Sequence, residues 1–207
     1  DKFTESQSHT ISVLKSLGKN PGYEGLHIPS DRKEMAELLN QYPNARLVAG
    51  STDLALEVTQ MQKQLANLVS TARIPELNVL QIQDNALQIG AAVTYSNLEP
   101  MLLKHFPEFK ELLHRLGSLP IRNQGTMGGN IANASPIGDT PPALLALQAK
   151  ITLDNGSETR EMPLTDFFLD YKKTALKTGE WLRDIILPLP TENSMRRAYK
   201  ISKRIED

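Results

Sequence analysis

The chain has 207 residues, 40 % hydrophobic and 23 % charged, enough to bury a sizeable core in one domain or two closely joined subdomains. Its 23 Lys plus Arg against 24 Asp plus Glu leave a net charge of -1, so no general positive field favours nucleic acid or an anionic membrane, and a small molecule is the better-expected partner. Cysteine is absent, which excludes disulfides, thiolate nucleophiles and cysteine-ligated zinc or iron–sulfur centres from this stretch.

In chain order, residues 1–27 are polar and carry Gly18, Pro21, Gly22 and Gly25, the composition of a linker entering from an upstream domain. Met35, Ala36, Leu38 and Leu39 recur at helical spacing over Arg32 to Asn40, with Ser30 or Asp31 placed to cap the first turn. Ala45 to Ala49 reads as a buried strand that ends on Gly50-Ser51-Thr52-Asp53 before a second helical pattern, Leu54 to Gln64. Further strands are expected at Leu68–Ser70 and Ala86–Ala91, separated by the turn Ile74 to Leu77. Tyr95 to Leu116 is mostly helical, broken at Pro107. After a glycine-rich stretch, Thr140 is placed to cap a helix whose first position is Pro141. Lys150–Leu153 and Glu158–Glu161 flank Asn155-Gly156 and predict a hairpin, and Trp181–Pro188 adds a strand around a core Trp181. The result is mixed α and β without the regular alternation of a doubly wound sheet. No apolar run approaches the roughly 18 residues of a membrane-spanning helix, and the polar start lacks a signal peptide's apolar stretch, so a cytoplasmic protein is expected. The missing initiator Met and the ending Lys203-Arg204-Ile205-Glu206-Asp207, without a cap signal, read as cuts in a longer chain.

Two segments have the composition of binding sites. In Leu47-Val48-Ala49-Gly50-Ser51-Thr52-Asp53-Leu54 a strand turns on glycine into a helix, exposing consecutive amides and two hydroxyls that suit a phosphate or pyrophosphate. A tight turn with an ordinary N-cap explains the same residues, since neither the lysine of a P-loop nor the spacing of the dinucleotide fingerprint is present. Asp53 would repel a diphosphate, so its expected work is capping the helix or bonding a hydroxyl. The second segment, Ile121 to Asp139, places Gly125, Gly128, Gly129 and Gly138 among asparagines and hydroxyls, with little helix or strand propensity. Close approach of backbone to a ligand is the expectation, and an extended loop of Asx turns is the alternative. His9, His27, His105 and His114 show no metal-ligand spacing, and no metal site is expected.

Together these residues resemble the FAD domain of the xanthine dehydrogenase and molybdenum hydroxylase family, particularly the bacterial small subunit. The matching stretches are LVAGSTDL from Leu47, IGAAVTYSNL from Ile89, LPIRNQGTMGGNIANASPIGDTPPALLAL from Leu119, FFLDYKKTAL from Phe167 and AYKISKRIED from Ala198. The resemblance implies an α+β, two-subdomain FAD-binding fold of the vanillyl-alcohol oxidase/PCMH type, not Rossmann. It divides the chain into a linker remnant at 1–27, FAD-binding subdomains at 28–82 and 83–192, and the start of a truncated C-terminal domain at 193–207. By that resemblance Leu47 to Leu54 wraps the pyrophosphate, while Thr126, Met127, Gly128, Gly129 and Asn130 line the other side of the cofactor. Asn133, Ser135, Ile137 and Asp139 continue that wall, with Asp139 meeting cofactor hydroxyls. Leu116 stands where the family places a residue, often aromatic, against the isoalloxazine. Leu182 and Lys200 match positions near the flavin, where a cation would stabilise the charge of the reduced ring.

The resemblance further implies that electrons from a purine, hypoxanthine or xanthine, pass from a molybdopterin centre through [2Fe–2S] clusters to FAD and on to NAD. The iron–sulfur domain would lie upstream in the same chain, the molybdopterin on a large subunit, and NAD near Glu206 and Asp207. No catalytic residue is expected, because the cofactor carries the chemistry. The rivals are a flavin subunit of an aldehyde oxidoreductase or carbon monoxide dehydrogenase, and a flavin-free docking module of the same fold.

Overall fold

A computed structural model describes residues 2–16, 23–191 and 194–201. Among the described residues it holds two main sheets and one two-stranded ribbon. The smaller is parallel, order β1-β3-β2, built from β1 (Leu26–His27), β2 (Arg46–Val48) and β3 (Leu68–Ser70). Helix α2 (Arg32–Gln41) joins the first two strands and α3 (Leu54–Thr59) the next two. Asp31 caps α2 by accepting from the Glu34 amide at 2.8 Å, while Glu34 accepts from the Ser30 amide at 2.7 Å; together these satisfy two groups left unbonded at the helix entry.

The larger sheet is antiparallel, order β4-β5-β10-β6-β7. Its strands are β4 (Leu80–Gln83), β5 (Ala86–Gly90), β6 (Lys150–Asp154), β7 (Thr159–Pro163) and β10 (Trp181–Pro188). β10 is central and nearly continuous in its burial, which explains its apolar sequence on both faces. Helices α4 (Tyr95–His105) and α5 (Phe109–His114) contribute Leu98, Leu102, Phe109 and Leu113 to a core shared with Ile89, Ile151, Trp181 and Ile185 of the sheet. Between the two sheets Arg32 of α2 forms a bidentate pair with the fully buried Asp154, at 2.6 and 2.8 Å, and so pins the first unit to the end of β6.

The expected helices, strands and the Asn155-Gly156 hairpin are present, and Trp181 lies in the core at 1 % exposure. Several expectations are corrected. The segment read as a linker carries helix α1 (Lys2–Ser16) and then β1; Lys2 to Ser16 contains neither Gly nor Pro, so nothing local interrupts a helix. The helix expected to reach Gln64 ends at Thr59, with Gln62 in the left-handed region at φ 53°. The boundary drawn at residue 82 falls inside a hairpin, because β4 pairs with β5 across Asp84-Asn85, both at positive φ as a mirror-image two-residue turn requires. The change of sheet therefore comes before Leu80. A further small hairpin, β8 (Phe168–Asp170) with β9 (Lys173–Thr174), stands where none was expected. Residues 194–201 form no helix or strand, and Glu206 and Asp207, expected near NAD, lie outside the described residues. Among the described residues no helix is long and apolar enough to cross a membrane.

Candidate functional site

The two glycine segments meet. Gly50, just after β2, stands against the carbonyl of Gln124 so closely that a β-carbon there would lie 2.0 Å from its oxygen and 2.7 Å from Cα of Gly125. No larger residue fits without moving one of the two backbones. Gln124 ends α6 (Leu119–Gln124) and is followed by α7 (Met127–Ala132), so the turn after the small sheet abuts the junction of two helices from the larger unit.

α7 contradicts the expectation of an irregular stretch. Its sequence, Met-Gly-Gly-Asn-Ile-Ala, has weak intrinsic helicity. The turn is held by Thr126, whose hydroxyl accepts from the Gly129 amide at 2.9 Å, and by burial of Met127 and Ile131. Gly128 lets the helix descend on the sheet: a β-carbon there would lie 2.5 Å from Cα of Ala91.

Across the junction, Asn133 donates to the Asp53 carboxylate at 2.6 Å, joining the segments at their outer ends. Asp53 occupies the N-cap position of α3 but makes no capping bond with its side chain, so the expected cap or hydroxyl partner is replaced by an amide from the other segment. Among the described residues the amides of Gly50, Ser51 and Thr52 have no protein acceptor, and Ser51 sits in the left-handed region at φ 60°. Consecutive free amides with one left-handed residue form a concavity of donors suited to an anion. Gly129, half-buried, lies beside it, where a β-carbon would stand 3.9 Å from Cβ of Ala49, and the half-buried Asn130 follows it in α7.

At the far end of the second segment Asp139 occupies the N-cap position of α8 (Thr140–Ala146) without capping it. Its carboxylate accepts from Lys200 Nζ at 3.0 Å, and the same ammonium donates to the Arg115 carbonyl at 2.9 Å. Arg115 in turn donates to the Lys200 carbonyl, which ties the tail to the end of α5. Thr140, expected as the cap, is instead the first residue of α8; it is fully buried and donates to Asn130 Oδ1 at 2.7 Å. Its other neighbour is Tyr95, hydroxyl to hydroxyl at 3.3 Å. Burial holds the Tyr95 phenol well above the ordinary tyrosine range, with a smaller opposing effect from Thr140.

The structure thus gathers Ala49, Gly50, Ser51, Thr52, Asp53, Thr126, Gly129, Asn130, Asn133, Asp139 and Lys200 along one band. Gly128 faces Ala91, and Met127 is fully buried in the core. Leu47 and Val48 are strand residues paired to β3, Leu54 opens α3, and Leu182 is a core residue of β10 paired with Leu153. Leu116 is buried beside Arg115, with its carbonyl facing Arg122 Nη1 at 3.4 Å; Ile137 is 88 % exposed, next to Ser135 whose hydroxyl accepts its amide. Tyr95, Thr140 and Arg115 were missed. Their role comes from partners distant in sequence, and Tyr95 and Thr140 look locally like a helix entry and a cap.

The comparisons converge on one group of proteins. Residues 21–190 match the family model described as the FAD binding domain in molybdopterin dehydrogenase. The nicotinate dehydrogenase FAD-subunit of Eubacterium barkeri is 31 % identical over 183 residues, covering 85 % of this chain and 62 % of that protein. The xanthine dehydrogenase/oxidase of Gallus gallus is 34 % identical over 191 residues, 86 % of this chain but 14 % of that protein, so the chain spans a small part of such relatives. Among solved structures, a carbon monoxide dehydrogenase from Hydrogenophaga pseudoflava superposes with a TM-score of 0.83 at 27 % identity, covering 91 % of this chain and 67 % of that one. The fold is accordingly the α+β FAD-binding fold of the PCMH type, not Rossmann, as expected.

Proposed function

Because the chain belongs to the FAD-binding domains of molybdopterin dehydrogenases, within the xanthine dehydrogenase and molybdenum hydroxylase family, we propose that the band between Leu47–Leu54 and Thr126–Asp139 holds the FAD. The observation that carries this is the packed pair of glycine segments with the unpaired amides of Gly50, Ser51 and Thr52 beside them. These amides suit the pyrophosphate, whose charge they meet without a lysine. The Asp53 carboxylate has a hydrogen-bond donor of its own in the Asn133 side-chain amide. Asp139 retains an oxygen for ribityl or ribose hydroxyls while Lys200 balances its charge. When bound, FAD supplies the one-electron and hydride chemistry, and the protein binds, orients and tunes it.

For the whole protein, we propose an oxidoreductase in which this domain accepts electrons from [2Fe–2S] clusters on an upstream domain and delivers them to NAD. A molybdopterin-binding large subunit would oxidise hypoxanthine or xanthine, as part of purine catabolism in the cytoplasm. The xanthine dehydrogenases among the relatives support that reading. The flavin subunit of a different hydroxylase is supported by the carbon monoxide dehydrogenase superposition and the nicotinate dehydrogenase FAD-subunit. The substrate is decided on the molybdenum partner, so identifying the copurifying large subunit separates the two.

The direct test is the visible spectrum after adding FAD and desalting, with retained bands expected near roughly 370 and 450 nm. Gly50→Val should lose the bands, since its β-carbon cannot coexist with Gln124 O; circular dichroism then separates lost binding from lost fold. A wild-type protein that retains no flavin favours the docking module and ends the FAD reading.

A further inference from the structure

Tyr95, Thr140 and Asn130 form a chain of hydrogen bonds running from the core to the band. Tyr95 is 3 % exposed and Thr140 fully buried, while Asn130 is half-buried at the edge. The direction of the chain follows from counting hydrogens. A threonine hydroxyl has one, and here it is directed to Asn130 Oδ1 at 2.7 Å. The 3.3 Å contact between Thr140 and Tyr95 is therefore a bond in which Tyr95 donates and Thr140 accepts. With its carbonyl oxygen engaged, Asn130 is left with Nδ2, which has no acceptor among the described residues.

Packing alone does not explain these hydroxyls. A buried hydroxyl costs free energy unless it is bonded, and a Phe–Val pair of nearly the same shape would fill positions 95 and 140 with nothing left to satisfy. What the chain adds is orientation. An asparagine amide can turn by half a rotation with little change in shape, and only a hydrogen-bond partner selects which end faces outward.

We propose that Thr140, oriented by Tyr95, is a positioning residue that holds Asn130 with its Nδ2 amide presented to the band as a hydrogen-bond donor for an oxygen of the flavin nucleotide. The inference rests on the FAD reading and adds to it the polarity of one contact and the residues that set it. Tyr95 acts only in its protonated form, which burial favours across the working pH range.

The test is FAD affinity of the purified protein, followed by quenching of flavin fluorescence, in Thr140→Val, Thr140→Ser, Asn130→Ala and the Thr140→Val/Asn130→Ala double variant. Thr140→Val should weaken binding by roughly three- to tenfold, the range for one neutral hydrogen bond. Thr140→Ser, which keeps the hydroxyl, should restore it. The double variant should bind no more weakly than Asn130→Ala alone, because Thr140 acts through Asn130. Additive losses, or Ser as weak as Val, overturn the proposal. Should Thr140→Val fail to fold, Asn130→Asp decides instead: it removes the donor at a half-exposed position and should bind at least as weakly as Asn130→Ala, whereas unchanged affinity overturns the proposal. Tight wild-type binding with no effect of Thr140→Val defeats this inference alone; no wild-type binding defeats the FAD reading and this inference with it.

Discussion

Ser51 and Ala134 adopt positive φ, at 60° and 47°, one in each segment of the band. Neither is glycine, so each conformation costs on the order of 1 kcal/mol or more and persists because its surroundings impose it. Nearby, Glu57 accepts from Arg46 at 2.7 Å and from Lys63 at 3.1 Å. These bonds, Arg46 first, hold its pKa down to about 2. Because the folded value lies below the unfolded one, the contribution to stability is present above the ordinary glutamate range and is lost as pH falls toward the folded value. Carbon-detected titration should place the Glu57 midpoint at about 2 and Arg46→Ala should raise it; a midpoint near the usual value in the parent protein contradicts the network. At this scale the glycines and Asp31 were legible, because backbone geometry and capping are local demands. The partners of Asp53 and Thr140 were not: Asn133 lies 80 residues from Asp53 and Asn130 ten from Thr140, and local pattern assigned both side chains to caps.

Helix α7 shows how far tertiary context overrides propensity. Two glycines and an asparagine begin a helix because Thr126 caps it and because Gly128 lets it touch Ala91. Gly128→Leu should therefore destabilise the fold by about 1–3 kcal/mol or more through overpacking, read as a lower urea midpoint with an unchanged slope. A midpoint equal to the parent's would mean that α7 is free to lift from the sheet. Strands with long apolar runs and the Asn155-Gly156 hairpin were legible, since burial on both faces and turn chemistry leave direct marks. β4 was not read: Leu80-Gln81-Ile82-Gln83 does alternate, but it is a mostly exposed edge strand, and its Asp84-Asn85 turn lacks the glycine that signals such hairpins.

For the molecule as a whole, the small sheet has strands of two and three residues and cannot be stable by itself. It depends on the larger unit, and the Arg32–Asp154 pair is a buried polar link between them, beside the more exposed Asp53–Asn133 bond. Arg32→Met leaves the carboxylate of Asp154 buried with the Gly156 amide as its remaining partner, which should cost about 3 kcal/mol. Calorimetry of the parent protein should show one transition, and two separate endotherms would contradict the dependence of one unit on the other. The overall class was legible because no regular alternation of strand and helix runs through the chain; the position of the boundary was not, because the chain crosses from one sheet to the other without a linker-like composition.

The bond between Asp53 and Asn133 ties the outer ends of the two segments, and the close contact of Gly50 with Gln124 ties them again at the junction. A gap held at fixed width by its own walls does not have to close on what enters it. Association with such a gap proceeds as one bimolecular event whose rate rises linearly with ligand concentration, without the plateau that a slow isomerisation would impose. Tight retention then comes from slow escape rather than from a lid.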